Sequence, residues 1–180
     1  HATVRLHGPR FDLHSGIQGG VAPNPATQLA RLIATLHAPD GAIAVRGFCD
    51  DIQTYTPAER RVVNTVAVDA KAYEEEIGVP PCGGEADEYT PQERRAMRPT
   101  IEINGIHSGY GGAGHKTIIP AVAEAKITSR LVRGQDPHRA LRLITEHLTA
   151  HAPKGLRLEI SEAAVGGAAL ALNPGSALVA

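Results

Sequence analysis

Gly114-His115-Lys116-Thr117-Ile118-Ile119-Pro120, with Ala125-Lys126-Ile127-Thr128-Ser129-Arg130-Leu131-Val132 just beyond it, is the stretch that decides the fold. A glycine-rich loop runs straight into β-branched residues, which favour a strand over a helix. The loop from Gly109 to Thr117 imitates a phosphate-binding loop, but that loop needs Gly, four residues and then Gly-Lys-Thr, and His115 is one residue too many. A phosphate loop must also open a helix whose N-terminus faces the phosphate, whereas Pro120 follows closely here. Nucleotide binding is set aside on those grounds. Residues 117–132 are read as one long strand, broken or bulged near Pro120.

Other segments complete a pattern around that strand. Residues 2–7 alternate Val4 and Leu6 against Thr3, Arg5 and His7, the period of a half-buried strand, which Gly8-Pro9 ends. Asn24-Pro25 is an N-cap followed by proline at the first helical position, and Leu29, Leu32, Ile33 and Leu36 form one apolar stripe up to Pro39-Asp40-Gly41. Thr100 to Ile106 reads as a second strand burying Ile101, Ile103 and Ile106, with a turn beginning at Asn104-Gly105. Asp136-Pro137 repeats the cap-plus-proline device and opens a helix with Ala140, Leu141, Ile144 and Leu148 on its stripe. Leu156, Leu158 and Ile160 alternate with Arg157, Glu159 and Ser161 in a last strand. The order β-α-β-β-α-β predicts an α+β fold of the ferredoxin-like kind, a four-stranded antiparallel sheet with two helices on one face.

Between the first helix and the second strand, residues 49–98 form a mostly helical insertion. Thr56-Pro57-Ala58-Glu59-Arg60-Arg61 and Thr90-Pro91-Gln92-Glu93-Arg94-Arg95 echo one another as capping boxes, and Asp69 caps a helix through Ile77. The echo reads as two similar helix starts and not as a true repeat.

The 180 residues suit one domain with a large insertion. With 42% apolar residues but no Trp, two Phe and four Tyr, the core must be aliphatic, and stacking surfaces for bases are scarce. A net charge of −1 with dispersed Lys and Arg offers no footprint for nucleic acid or anionic lipid. No apolar run approaches the roughly 20 residues that span a bilayer. Cys49 and Cys82 fit free thiols of a reducing cytosol better than one accidental bridge, and a cytoplasmic location is expected. The nine histidines include no His-x-His and no His-Glu-x-x-His, leaving His147 and His151 as a metal pair or, equally, as helix-end cations.

Asp12-Leu13-His14-Ser15-Gly16, the Lys116-Thr117-Ile118-Ile119-Pro120 strand start and Arg130 thirteen residues after Thr117 together give the chain a likeness. It resembles the lid, or dimerisation, domain of the zinc-dependent peptidase family that includes carnosine-type dipeptidases, aminoacylases and glutamate-releasing carboxypeptidases. The insertion and Arg98-Pro99-Thr100-Ile101-Glu102-Ile103-Asn104-Gly105 look most like the dipeptidase-type branch. The resemblance implies a lid spanning 1–162, a 163–180 linker back toward a catalytic domain outside this chain, and zinc held by that other domain, with no cofactor in the lid itself and no activity of the lid alone. It also implies a homodimer in which each lid lends His14 to the partner's site. His14 would donate to the scissile carbonyl oxygen, Thr117 and Arg130 would hold the carboxylate end of a dipeptide or N-acyl amino acid, and Asn104 would face the cleft. The competing reading is a stand-alone ferredoxin-like module binding a ligand or protein through an exposed sheet edge.

Overall fold

A computed structural model describes residues 1–85 and 88–169; most of the expected 163–180 linker lies outside the described residues. The elements are β1 (Ala2–His7), β2 (Leu13–His14), α1 (Ser15–Gln18), α2 (Pro25–Ala34), α3 (Pro57–Val63), α4 (Ala70–Ile77), α5 (Pro91–Met97), β3 (Thr100–Ser108), β4 (Ile118–Ile119), β5 (Val122–Arg130), α6 (Pro137–Ala150) and β6 (Arg157–Ser161). This is a mixed α/β fold. Four strands form an antiparallel sheet in the order β3-β5-β1-β6.

One face of that sheet carries the core. Val4 and Leu6 of β1, Ala123, Ala125 and Ile127 of β5 and Ile101 of β3 meet Leu29, Leu32 and Ile33 of α2 and Ala140, Ile144 and Leu148 of α6. The small alanines of the central strand β5 let both helices come close, so Leu6, Leu29, Leu36 and Leu148 reach 0% exposure. Both helices start as their sequences predict: Asn24 accepts from the Ala26 and Thr27 amides, and Asp136 accepts from the Arg139 amide. Helix α2 ends at Ala34, earlier than Pro39, yet Leu36 still packs inside. Leu141 is only half-buried on α6.

The opposite face is polar. Arg5 donates to Glu124 at 2.6 Å and to Ser161 at 3.0 Å, and Lys126 reaches Glu162 at 3.1 Å. Arg130 ends β5 opposite Thr100, in step with Lys126 and Thr128 on this polar side.

Three expectations are corrected. The strand over 117–132 breaks near Pro120 as expected, but its halves do not share a sheet: β4 leaves the main sheet and pairs with β2, and the chain turns at Pro120-Ala121 before β5 begins. Proline cannot donate a ladder bond, so the break falls where the main sheet would have required one. Asn104 does not begin a turn. It is the extra residue of a bulge between Ile103 and Gly105, after which β3 continues to Ser108 along the sheet edge and leaves Ile106, expected inside, exposed.

The insertion contains α3, α4 and α5, and its two capping boxes both form. They also interlock. Glu93 accepts from Arg60 through Nε at 2.8 Å and Nη2 at 2.9 Å, from Asn64 at 2.9 Å and from its own cap amide, Thr90, at 3.1 Å. Glu59 accepts from Arg133 at 2.9 Å, tying α3 to the chain that follows β5. Cys49 and Cys82 are free thiols, and burial pushes the Cys49 thiol up. Among the described residues no helix is long and apolar enough to cross a membrane.

These carboxylates make the insertion acid-sensitive. The Arg60 fork holds the Glu93 carboxyl at about 2, and Arg133 followed by the Thr56 cap holds that of Glu59 at about 2, against an ordinary 4.5. A depressed carboxyl stabilises the fold fully above its ordinary value and loses that contribution as pH falls, here from about 4.5 to about 2. The protection of the α3 and α5 amides against hydrogen exchange, taken relative to the intrinsic rate at each pH, is therefore expected to fall across that window. Because Glu93 is buried, Glu93→Gln is expected to cost about 1–3 kcal/mol at neutral pH and to flatten the acid response. Unchanged chemical denaturation of that variant would refute the interlock as a stabilising contact.

Candidate functional site

The small β2–β4 sheet is what brings His14 and Thr117 together. Leu13 pairs with Ile119 and His14 with Ile118, so the turn after β1 and the end of the glycine-rich loop become neighbours. The Ser15 amide donates to the Thr117 carbonyl at 2.9 Å, and Asp12 accepts from the Ala121 amide at 2.8 Å, anchoring the turn to the break before β5.

His14 is the N-cap of α1. Its Nδ1 accepts the Gly16 amide hydrogen at 3.0 Å, which makes Nδ1 the bare nitrogen of the neutral ring and puts the hydrogen on Nε2. That Nε2 lies 3.3 Å from Thr117 Oγ1, and both side chains are exposed. A glycine in a turn ordinarily serves an unusual backbone angle, and Gly16 is the glycine of this one. Its φ is not positive; a Cβ there would lie 2.8 Å from His14 Cε1, so glycine is what lets the imidazole fold back over the turn in this position. The His-Ser-Gly pattern was visible in sequence, but only the ring contact shows what the glycine does.

Arg130 is not part of this pair. It lies at the far end of β5 from Val122, about 26 Å away at a strand rise of roughly 3.3 Å per residue. His14 and Thr117 are on the Val122 side, because Ala121 is held by Asp12 and its carbonyl accepts from Gly8. Asn104 stands level with the middle of β5, between Ile127 and Lys126, exposed on the edge strand. The four candidates thus occupy three places on the sheet.

Among the described residues there is no group of three His, Cys, Asp or Glu side chains that could hold a metal, whereas a catalytic zinc takes three protein ligands. No step of chemistry is therefore assigned to a metal on these residues. His147 and His151 stack with ring centroids 4.2 Å apart; His147 Nε2 lies 2.9 Å from Thr35 Oγ1, and His151 Nδ1 lies 2.8 Å from the His147 carbonyl. Burial, then the neighbouring His151, pushes His147 down. The phosphate-loop imitation is followed by β4 and not by a helix, so it has no helix N-terminus to offer a phosphate.

The family profile of the peptidase dimerisation domain, M20_dimer, matches residues 1–156. The chain belongs to this family. Its relatives as a peptidase dimerisation domain include the Cys-Gly metallodipeptidase dug1 of Schizosaccharomyces pombe, 31% identical over 147 residues, which cover 82% of this chain and 31% of that protein. The Beta-Ala-His dipeptidase of Mus musculus is 28% identical over 152 residues, 82% of this chain and 30% of that protein. The structure of the M20 family metallo-carboxypeptidase Sso-CP2 from Sulfolobus solfataricus superposes with a TM-score of 0.77 at 26% identity, covering 99% of this chain and 46% of that one. The dimerisation domain thus spans about a third of the length of the curated relatives it matches. These relatives are hydrolases, and the competing reading of a stand-alone binding module is not favoured by them.

Proposed function

We propose that this dimerisation domain is the lid of a zinc-dependent dipeptidase and that it works as a homodimer, His14 and Thr117 of one copy completing the site that contains Arg130 of the other. The observation carrying this reading is the separation along β5. His14 and Thr117 lie within hydrogen-bond distance, while Arg130 is about 26 Å of strand away, and a dipeptide extends over no more than about 7 Å. One chain cannot deliver all three groups to one substrate; two copies related by a two-fold axis can.

The roles follow from the chemistry of each group. His14 Nε2–H is a fixed donor for oxygen charge developing at the scissile carbonyl. Thr117 supplies a hydroxyl beside it, and Arg130 a planar fork matched to a substrate carboxylate. Asn104, released from the ladder by its bulge, faces the cleft at an intermediate depth. When bound, zinc supplies water activation from the catalytic domain outside this chain, so the lid alone is inactive. The substrate is a dipeptide or an N-acyl amino acid. Strand order β3-β5-β1-β6, with α2 and α6 sharing one core, supports reading the lid as ferredoxin-like with residues 1–162 as one unit. Two free thiols fit a cytoplasmic setting.

Mixed dimers test the shared site. Full-length His14→Ala and Arg130→Ala enzymes, each retaining about a tenth or less of the activity at subsaturating substrate, are dissociated, mixed in equal amounts, reassociated and assayed at that substrate level. A heterodimer holds one wholly unaltered site and one doubly altered site, so random pairing is expected to restore about a quarter of the original activity. Activity no greater than the sum of the parents would place both groups in one chain's site and reject the proposal.

A further inference from the structure

The loop from Gly109 to Thr117 has four glycines, two of them, Gly109 and Gly114, at positive φ, and so little side-chain surface with which to hold a shape. What it has is Tyr110. The Tyr110 hydroxyl donates to the Ala113 carbonyl at 2.8 Å, closing the glycine run on itself. The Lys116 ammonium stands 4.5 Å from the centre of the same ring. A Cβ on Gly112 would come within 2.6 Å of the Tyr110 oxygen, so the backbone is drawn tight around the ring. The loop has wrapped around its own aromatic side chain.

That wrapping bears on the proposed site through one peptide unit. Lys116 is bonded to Thr117, whose carbonyl takes the Ser15 amide and whose hydroxyl faces His14. The Ile118 amide donates to the Lys116 carbonyl at 3.0 Å, passing the constraint on into β4. Freed from Tyr110, a segment this rich in glycine would sample many backbone states, and Thr117 would hold its place only through the two-residue β2–β4 ladder.

We infer that Tyr110 and Lys116 form a clasp that positions Thr117, and through it the Nε2–H of His14, for catalysis. They are positioning residues and touch no substrate. The inference rests on the lid reading above. It adds that the geometry of the trans-acting pair is set by an aromatic clasp inside the glycine loop.

The test compares the complete enzyme with Tyr110→Ala, Tyr110→Phe, Lys116→Met and Lys116→Arg variants, with His14→Ala as the reference. Tyr110→Ala and Lys116→Met are expected to lower kcat by about 10- to 100-fold, the loss typical of an ångström-scale misplacement, with a smaller change in KM. Phe keeps the ring beneath the cation and Arg keeps the cation above the ring, so each is expected to recover most of the loss. Thermal midpoints should stay unchanged, since Tyr110 is exposed and contributes nothing to the core. If His14→Ala is impaired while Tyr110→Ala turns over at the unaltered rate, the clasp is wrong and the lid reading stands. If His14→Ala is also unimpaired, the lid reading falls and the clasp with it. Faster hydrogen exchange in Tyr110→Ala of the Ser15 and Ile118 amides, which donate to the Thr117 and Lys116 carbonyls, provides a structural readout independent of catalysis; unchanged exchange would overturn the inference.

Discussion

Replacing His14 with Ala in the complete enzyme is expected to lower kcat by about 10² to 10³ while leaving KM within a few-fold, the signature of a donor used in the transition state and not in ground-state binding. The size of the effect depends on preorganisation. The Gly16 amide occupies Nδ1, so the neutral ring presents Nε2–H without having to choose a tautomer, and that bond holds the ring over Gly16, where a Cβ would come within 2.8 Å of it. A freely rotating surface histidine would give up part of that advantage to the entropy of being ordered. His14→Gln restores a donor on a flexible stem and should recover only a small part of the rate. Steady-state kinetics decide the matter, and a variant with unaltered kcat would return His14 to the ordinary surface.

Removing the Arg130 guanidinium is expected to lower kcat/KM by about 10- to 100-fold, from about 1.5–3 kcal/mol for a hydrogen bond to a charged group at roughly 1.4 kcal/mol per decade. Much of the loss should fall on KM, because the carboxylate is charged in both ground and transition states. Arg130→Lys keeps the charge but not the planar fork, and should recover only part of the loss. The discriminating substrate is a dipeptide whose terminal carboxylate is an amide. Arg130→Ala should scarcely affect its hydrolysis. An equal loss on both substrates would mean that Arg130 supports the fold or the interface and does not bind a carboxylate.

Both predictions concern exposed residues, and exposure is also why their arrangement could not be read from the sequence. Individually, His14, Thr117, Arg130 and Asn104 are polar residues on strands and turns, and nothing in their local spacing carries a distance. The motif likeness led to the family, which the dimerisation-domain match bears out. The strand reading over 117–132 already set Thr117 and Arg130 far apart, but the sequence did not foresee that His14 would join Thr117 at its end of that run. Pro120 and the short β4 made that choice.

What the sequence by itself determined was everything governed by neighbours a few residues apart. The alternation of Val4 and Leu6, the Asn24-Pro25 and Asp136-Pro137 helix starts, the Asp69 cap and both capping boxes each depend on interactions within one turn or one strand, and each formed where its spacing said it would. Only the tertiary structure decided what those pieces do to one another. It buried Glu93 by presenting Arg60 from thirty-three residues away, and it converted Asn104 from an expected turn into a bulge by the register of β3 on β5. It also set the glycine loop against the His14 turn through a pairing across more than a hundred residues. Such contacts are chosen by the closure of the whole chain around one core, where the free energy of packing selects among partners that local sequence leaves equivalent.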